Sequence, residues 1–282
     1  MKYNLTPFIK WAGGKTQLLP RLKERLPQSY NTYYEPFVGG GALFLSIQPK
    51  QLIISDINEQ LINVYKQIQT NVNDVISEVN KLDAPLCTQE RYLEIRKYYN
   101  EKKIIPRELD AETAALMIWL NKHCFNGLYR VNNNGLFNVP WNKKETGKSI
   151  DEENLYHISE YLSSADVRIL VSDFEETCKS AKSSDFVYFD SPYIPVSITA
   201  SFTDYTKHGF PSVDHERLAA LFKELSNKNI KCMLSNNNVP LVYELYDGFY
   251  IEPINVHRMI NRDASKRTGK EVIITNYSVN IQ

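Results

Sequence analysis

Asp190, Ser191, Pro192 and Tyr193 end an apolar run, Phe186-Val-Tyr-Phe189, and strand ends of this kind are where α/β proteins meet their ligands. Methylation of an exocyclic amine needs a carboxylate that accepts the amine hydrogens, so that the nitrogen lone pair leaves conjugation with its ring. It also needs an aromatic face for a base turned out of its stack. Asp190 suits the first role and Tyr193 the second. The plainer alternative is a strand followed by a turn, since Asp and Pro are common turn residues.

A second group sits earlier, in Tyr33-Tyr-Glu-Pro-Phe-Val-Gly-Gly-Gly-Ala-Leu-Phe-Leu45. Gly39, Gly40 and Gly41 follow a short apolar stretch and open a helix, so their backbone N–H groups can approach a small molecule. Glu35 precedes the turn, and Asp56 ends the next strand, Leu52 to Ser55, where an acid commonly takes two ribose hydroxyls. These residues make a nucleoside pocket. The segment is not a Walker A loop, because Gly14-Lys15-Thr16 would require glycine at position 9, which is Ile9. Nor is it a full G-x-G-x-x-G, since Phe44 takes the last glycine's place. A glycine cluster alone also suits a tight turn; its spacing from Asp56 and the presence of the Asp190 segment favour the pocket.

The elements that must position these groups can be read from periodicity. Leu18, Leu19, Leu22 and Leu26 give a helix that stops near Pro27. From 57 to 165 long polar helices dominate, with an apolar helical face over Ala111 to Leu120. They are followed by two β-prone runs, Leu128-Tyr-Arg-Val131 and Leu136-Phe-Asn-Val139, around an Asn/Gly turn and closed by Pro140. After 166, strands at Val167–Val171, Phe186–Phe189, Ile230–Leu234 and Glu271–Asn276 alternate with helices over 212–227 and near 239–246. The expected class is α/β, a Rossmann-like, mainly parallel sheet with helices on both faces, interrupted by a helical insert that carries a β-hairpin. Residues 1–56 and 166–282 would form one domain and 57–165 the insert.

At 282 residues, 43% hydrophobic and 23% charged, the chain has the composition of a folded globular protein. Lys+Arg and Asp+Glu balance at 33 each, so any cationic surface must come from uneven placement of charge. The basic stretch from His257 and Arg258 through Arg262, Lys266, Arg267 and Lys270 is the clearest such cluster. It suits either a phosphate clamp or solvated surface. The longest apolar runs fall far short of the roughly 20 residues of a membrane span, and no signal-peptide core opens the chain. The expectation is a cytoplasmic protein with no membrane partner. Cys87, Cys124, Cys178 and Cys232 are scattered without a C-x-x-C pair, and the histidines form no H-E-x-x-H, so no metal is expected.

Four blocks in order carry a resemblance that covers essentially the whole chain: Trp11-Ala-Gly-Gly-Lys15, Glu35-Pro-Phe-Val-Gly-Gly-Gly41, Phe125-Asn-Gly-Leu-Tyr-Arg130 with Phe137-Asn-Val-Pro140, and Asp190-Ser-Pro-Tyr193. In these the chain resembles the Dam-type, α-group adenine-N6 DNA methyltransferases, especially those of restriction–modification systems that recognise GATC. The resemblance implies that S-adenosylmethionine is held by Trp11, Lys15, Glu35, Phe37, Gly39, Gly41, Asp56, Asp173 and Asp190, with Asp173 near its adenine. It implies that Asp190, Ser191, Pro192 and Tyr193 are catalytic. It also implies that the insert reads double-stranded DNA through Asn126, Leu128, Arg130, Asn132 and Pro140, with Phe125 a wedge beside the flipped adenine. Arg can take guanine O6 and N7 bidentately, and apolar side chains can fill a vacated stack, so these residue types suit the roles. Packing of Phe125, Leu128 and Phe137 within the hairpin is the alternative. A cognate restriction endonuclease acting separately would fit the same resemblance.

One position departs from the family pattern: the motif normally has proline at both middle positions, and here the first is Ser191. Serine keeps the backbone carbonyl that shares the amine hydrogens with the Asp, and Pro192 holds it extended. The competing readings are methylation of RNA or of a protein amide, whose motif usually begins with Asn, and a DNA-binding protein that keeps the pocket but has lost catalysis through Ser191.

Overall fold

Period-two burial along the strands builds two cores on opposite faces of one sheet. In the computed structural model, which describes residues 3–104, 109–195, 209–257 and 268–279, the chain opens with α1 (Leu19–Glu24), β1 (Tyr33–Glu35), α2 (Ala42–Ile47) and β2 (Gln51–Asp56). Helices α3 (Glu59–Thr70), α4 (Val72–Asp83), α5 (Gln89–Ile104), α6 (Ala111–His123) and α7 (Glu152–Ser164) follow. The remainder is β3 (Asp166–Val171), α8 (Phe174–Cys178), β4 (Phe186–Phe189), α9 (Ser212–Asn227), β5 (Lys231–Asn237), α10 (Pro240–Leu245), β6 (Tyr250–His257) and β7 (Thr268–Thr275).

The sheet has seven strands in the order β3-β2-β1-β4-β5-β7-β6. The first five run parallel, whereas β7 is antiparallel to both β5 and β6. The α/β class and the mainly parallel sheet expected from the alternation are present. Strand β6 is not legible in the sequence, because Pro253 argues against a strand; it is tolerated here because β6 is an edge.

Tyr33, Leu52, Ile54, Phe186, Tyr188, Met233 and Ile273 face one core, with Leu22, Phe44, Leu61, Tyr65 and Ile158 from the covering helices. Their sequence neighbours Tyr34, Ile53, Val187, Phe189, Cys232, Leu234, Val272 and Ile274 face the other, under Leu218 and Phe222 of α9 and Val242 of α10. The first core runs on without a break into residues 57–165, through Val75, Tyr92, Tyr99 and Phe137. Helix α6 is buried on all sides from Thr113 to Asn121, as befits a helix apolar around its whole circumference. The expected hairpin is held by isolated antiparallel bridges, Val131 with Phe137 and Cys124 with Trp141, and not by two full strands.

Candidate active site

The five parallel strands end at one edge, where the sheet order reverses between β1 and β4, and in open α/β sheets a crevice opens at such a point. A cleft of about 830 Å³ lies there. Its wall includes Trp11, Lys15, Phe37, the Gly39 to Gly41 turn, Asp56, Asn126, Asp173 and all of Asp190 to Tyr193. Residues far apart in the sequence are thus gathered by the strand ends, the segment before α1 and the turn at Asn126.

The glycine turn is conformationally required. Gly39 and Gly41 have φ of 47° and 68°, and a Cβ on Gly41 would come within 2.2 Å of the Phe44 ring and 2.7 Å of the Tyr65 hydroxyl. Tyr65 in turn donates to the Gly39 carbonyl at 2.9 Å. Asp56 fastens the turn from the next strand, accepting from the Gly39 N–H at 3.3 Å and the Asn58 N–H at 2.9 Å. Burial pushes its carboxyl up to about 6 against the pull of those N–H groups. The Trp11 ring packs against Gly39 and stacks on Tyr129, with centroids 5.3 Å apart. Glu35 lies beneath the cleft and not in its wall. It accepts from the Tyr33 hydroxyl at 2.8 Å, and burial raises it to about 8.

Asp190 is the most constrained group. Its Oδ1 meets the Lys15 ammonium at 2.5 Å and accepts from the Ser235 hydroxyl at 3.2 Å. Burial raises the pKa of this carboxyl above its ordinary value, and Lys15 and Ser235 offset only part of the rise. Burial also opposes the charge of Lys15, but Asp190 and Tyr193 outweigh it and keep the ammonium protonated. Lys15 further donates to the Gly13 carbonyl at 2.5 Å and lies 4.5 Å from the centroid of the Tyr193 ring. The Tyr193 hydroxyl donates to Glu271 at 3.0 Å. Ser191 is buried, and its hydroxyl has no hydrogen-bond partner among the described residues.

At the far end of the cleft Asp173 caps α8 through the Glu175 N–H at 2.9 Å and meets Arg217 at 3.2 Å. Phe37 stacks on Phe174 at 5.3 Å, with Phe210 edge-on to Phe37, so an apolar aromatic slot adjoins this acid.

Of the candidate DNA-reading residues, Asn126 alone lines the cleft, in a left-handed conformation with φ of 57°. Phe125 beside it is 51% exposed, which leaves its ring available to a ligand. Asn121 holds this turn by bonding Lys10 and the Gly127 carbonyl. Leu128 is half-buried against the core. Arg130 is exposed and steered by Asn138, to which its Nε donates at 2.8 Å. The Asn132 side chain is taken up by its own turn, accepting from the Asn134 and Leu136 N–H groups. Pro140 is exposed, and its carbonyl accepts from Phe125 N at 2.8 Å. Residues 258–267 of the basic stretch lie outside the described residues.

Sequence reasoning missed Ser235, Glu271, Tyr129, Arg217, Phe174 and Phe210. Ser235 carried a usable signal, because Ser235-Asn-Asn-Asn238 follows the apolar Cys232 to Leu234 in the same way that Asp190 follows β4. Glu271 had none: it reaches this edge because antiparallel β7 sets it opposite Asn237. Among the described residues there is no His/Cys/Asp/Glu group able to hold a metal ion, and no helix is long and apolar enough to cross a membrane.

Comparison with known proteins bears directly on this arrangement. Residues 11–260 match the family described as D12 class N6 adenine-specific DNA methyltransferase. The type II methyltransferase M1.LlaDCHI of Lactococcus lactis subsp. cremoris is 42% identical, covering 98% of this chain and 97% of its own length. The type II methyltransferase M.MjaIII of Methanocaldococcus jannaschii is also 42% identical, over 96% and 99%. A DNA adenine methylase of Serratia marcescens is 31% identical, over 96% and 97%. With the matched region running from Trp11 past Asp190 and Glu271's partner strand, and with the relatives aligned nearly end to end, the chain belongs to the D12 class N6 adenine-specific DNA methyltransferases.

Proposed function

We propose that the protein transfers a methyl group from S-adenosylmethionine to N6 of a flipped adenine in duplex DNA, within GATC. The observation that carries the reading is the single cleft shared by the glycine turn with Asp56 and by the Asp190 to Tyr193 segment. The cofactor's chemical contribution is an electrophilic methyl on a sulfonium. Its fit is supported by a turn whose glycines a Cβ would block, by Asp56 at the turn, and by an aromatic slot next to Asp173. Trp11, Lys15, Phe37, Gly39, Gly41, Asp56 and Asp173 would hold it, and Glu35 would act from below the floor.

For the acceptor, extrusion of an adenine costs a few kcal/mol, offset by stacking on Tyr193 and hydrogen bonds at the base edge. Asp190 and the Ser191 carbonyl accept hydrogen bonds from the two amine hydrogens, and the carboxylate stabilises the positive charge that develops as the new N–CH3 bond replaces the sulfonium's S–CH3 bond, until one amine proton is released to solvent. Catalysis is then positioning and electrostatics. Residues 57–165 serve as the target-recognition insert, with Phe125 and Asn126 nearest the flipped base and Leu128, Arg130, Asn132 and Pro140 along the groove. The type II names of two relatives favour a restriction–modification setting with a separate endonuclease, and the absence of a long apolar helix among the described residues is compatible with a cytoplasmic location.

The test is transfer of labelled methyl from S-adenosylmethionine to a GATC duplex and to the same duplex already N6-methylated. Incorporation into the unmethylated duplex alone supports substrate, cofactor and site together. No incorporation into either, with DNA still bound, replaces the reading with a catalytically lapsed binder and points to Ser191.

A further inference from the structure

The two oxygens of Asp190 are not equivalent. Oδ1 carries both protein contacts, from Lys15 Nζ at 2.5 Å and Ser235 Oγ at 3.2 Å, while no hydrogen bond from the described residues reaches Oδ2. The Asp190 side chain is 19% exposed and lines the cleft, so solvent still reaches part of it. Behind Ser235 stands Tyr188, whose hydroxyl lies 3.0 Å from Ser235 Oγ, and both residues are wholly buried. The direction of this chain follows from inventory. An ionised carboxylate only accepts, so Ser235 must donate its one proton to Asp190, and Tyr188 must therefore donate to Ser235. The three residues come from neighbouring strand positions: β4 supplies Tyr188 and Asp190, and β5, paired Phe189 with Leu234, supplies Ser235 one residue on.

We propose that Ser235, oriented by the Tyr188 hydroxyl, is a positioning residue that fastens Oδ1 of Asp190 together with Lys15 and so reserves Oδ2 for the N6 hydrogen of the target adenine. This rests on the proposed function and adds a residue pair to it. A carboxylate free to rotate about its Cβ–Cγ bond would present either oxygen and share its attraction between Lys15 and the substrate. One fastened at Oδ1 has a single acceptor aimed at the base, and a group held in productive geometry needs no reordering when the reaction begins. Tyr188 does not itself line the cleft, and its hydroxyl meets Ser235 Oγ, so its hydrogen-bonded path to Asp190 runs through Ser235.

The experiment compares wild type, Ser235→Ala, Tyr188→Phe and the double variant for methyl transfer to duplex DNA across pH, with melting temperatures measured alongside. Activity of wild type and its loss in Asp190→Ala test the proposed function separately. Given both, Ser235→Ala is expected to lower kcat about tenfold, in line with loss of a hydrogen bond to a charged group. KM for cofactor and duplex should stay within about twofold. The acidic limb of the kcat profile should move to higher pH, because the ionised carboxylate has lost a donor. Tyr188→Phe should show the same changes to a smaller extent, and adding it to Ser235→Ala should lower kcat no further. An unmoved acidic limb with unchanged kcat in Ser235→Ala overturns the inference. So does a double variant whose kcat losses multiply. Should Ser235→Ala fail to fold, Tyr188→Phe alone decides by the same two readouts.

Discussion

At position 190 burial raises the carboxyl's affinity for a proton, and Lys15 and Ser235 work against it. The balance matters because only the ionised acid can accept both the protein's donors and an amine hydrogen. Methyl transfer should therefore fall on the acid side at a pH above the ordinary aspartate range. Asp190→Ala should reduce kcat by roughly 10² to 10³, the usual effect of removing one preorganised electrostatic group, while DNA affinity in a mobility-shift titration stays near wild type. Retained turnover would move the catalytic role elsewhere. The neighbouring Ser191 is buried, and its hydroxyl has no partner among the described residues, a situation that costs about 1 to 3 kcal/mol. Ser191→Pro removes that hydroxyl and restores the family's usual residue. It should leave the methylation rate at or above wild type and raise the melting temperature; a tenfold loss of rate would show that the serine contributes to this site.

Among the elements, the β1–α2 turn carries the most exacting requirement. Gly41→Ala must move both the Phe44 ring and the Tyr65 hydroxyl, and its φ of 68° is strained for any residue with a Cβ. A loss of about 1 to 3 kcal/mol by denaturant unfolding and weaker S-adenosylmethionine binding by calorimetry are expected together. A stable variant with normal cofactor affinity would contradict the role given to the turn. On the insert, Phe125 is exposed, so Phe125→Ala should leave stability within about 0.5 kcal/mol. If the ring wedges into the vacated stack, kcat/KM should fall on a matched duplex and much less where the target adenine is already mispaired. Equal losses on both substrates would remove the wedge. These elements differ in how openly the sequence announces them. The glycine turn and the strand ending on Asp190 were legible because each combines an apolar run with residue types rare in that place. The hairpin was legible as a turn but not as a ladder of isolated bridges, since Asn132 and Asn100 side chains, not strand pairing, secure much of its backbone. Ser235 and Glu271 owe their positions to sheet register, which local periodicity does not encode.

Across the whole molecule, alternation of strands and helices revealed the parallel sheet but not where its order reverses, because that depends on which strands pair after an insert of more than a hundred residues. The consequence of that topology is a set of acids brought under one low-dielectric edge, and it should appear in the pH dependence of global stability. Glu35 is raised from 4.5 to about 8, and Asp56 from 3.8 to about 6, both chiefly by burial. A raised carboxyl means that the folded protein keeps its proton where the unfolded chain has released it, so stability falls as pH rises through each window. Other groups act elsewhere. Burial lowers His215 from 6.5 to about 4, and because the unfolded chain then binds the extra proton, stability rises with pH over that span. Asp83 and Asp110 are held below 3.8, where their contribution is lost only in stronger acid. Between about pH 6.5 and 8 Glu35 lowers the stability of wild type, by nearly 1.4 kcal/mol per pH unit at the start of that interval and about half as steeply at its end, where the carboxyl is half ionised. Glu35→Gln keeps the shape and cannot ionise, so its unfolding free energy should fall less steeply than that of wild type over the same interval and exceed it at pH 8. Parallel slopes in urea unfolding of the two proteins would mean that Glu35 is already ionised in the fold, and that Tyr33 and the α2 N–H groups outweigh its burial.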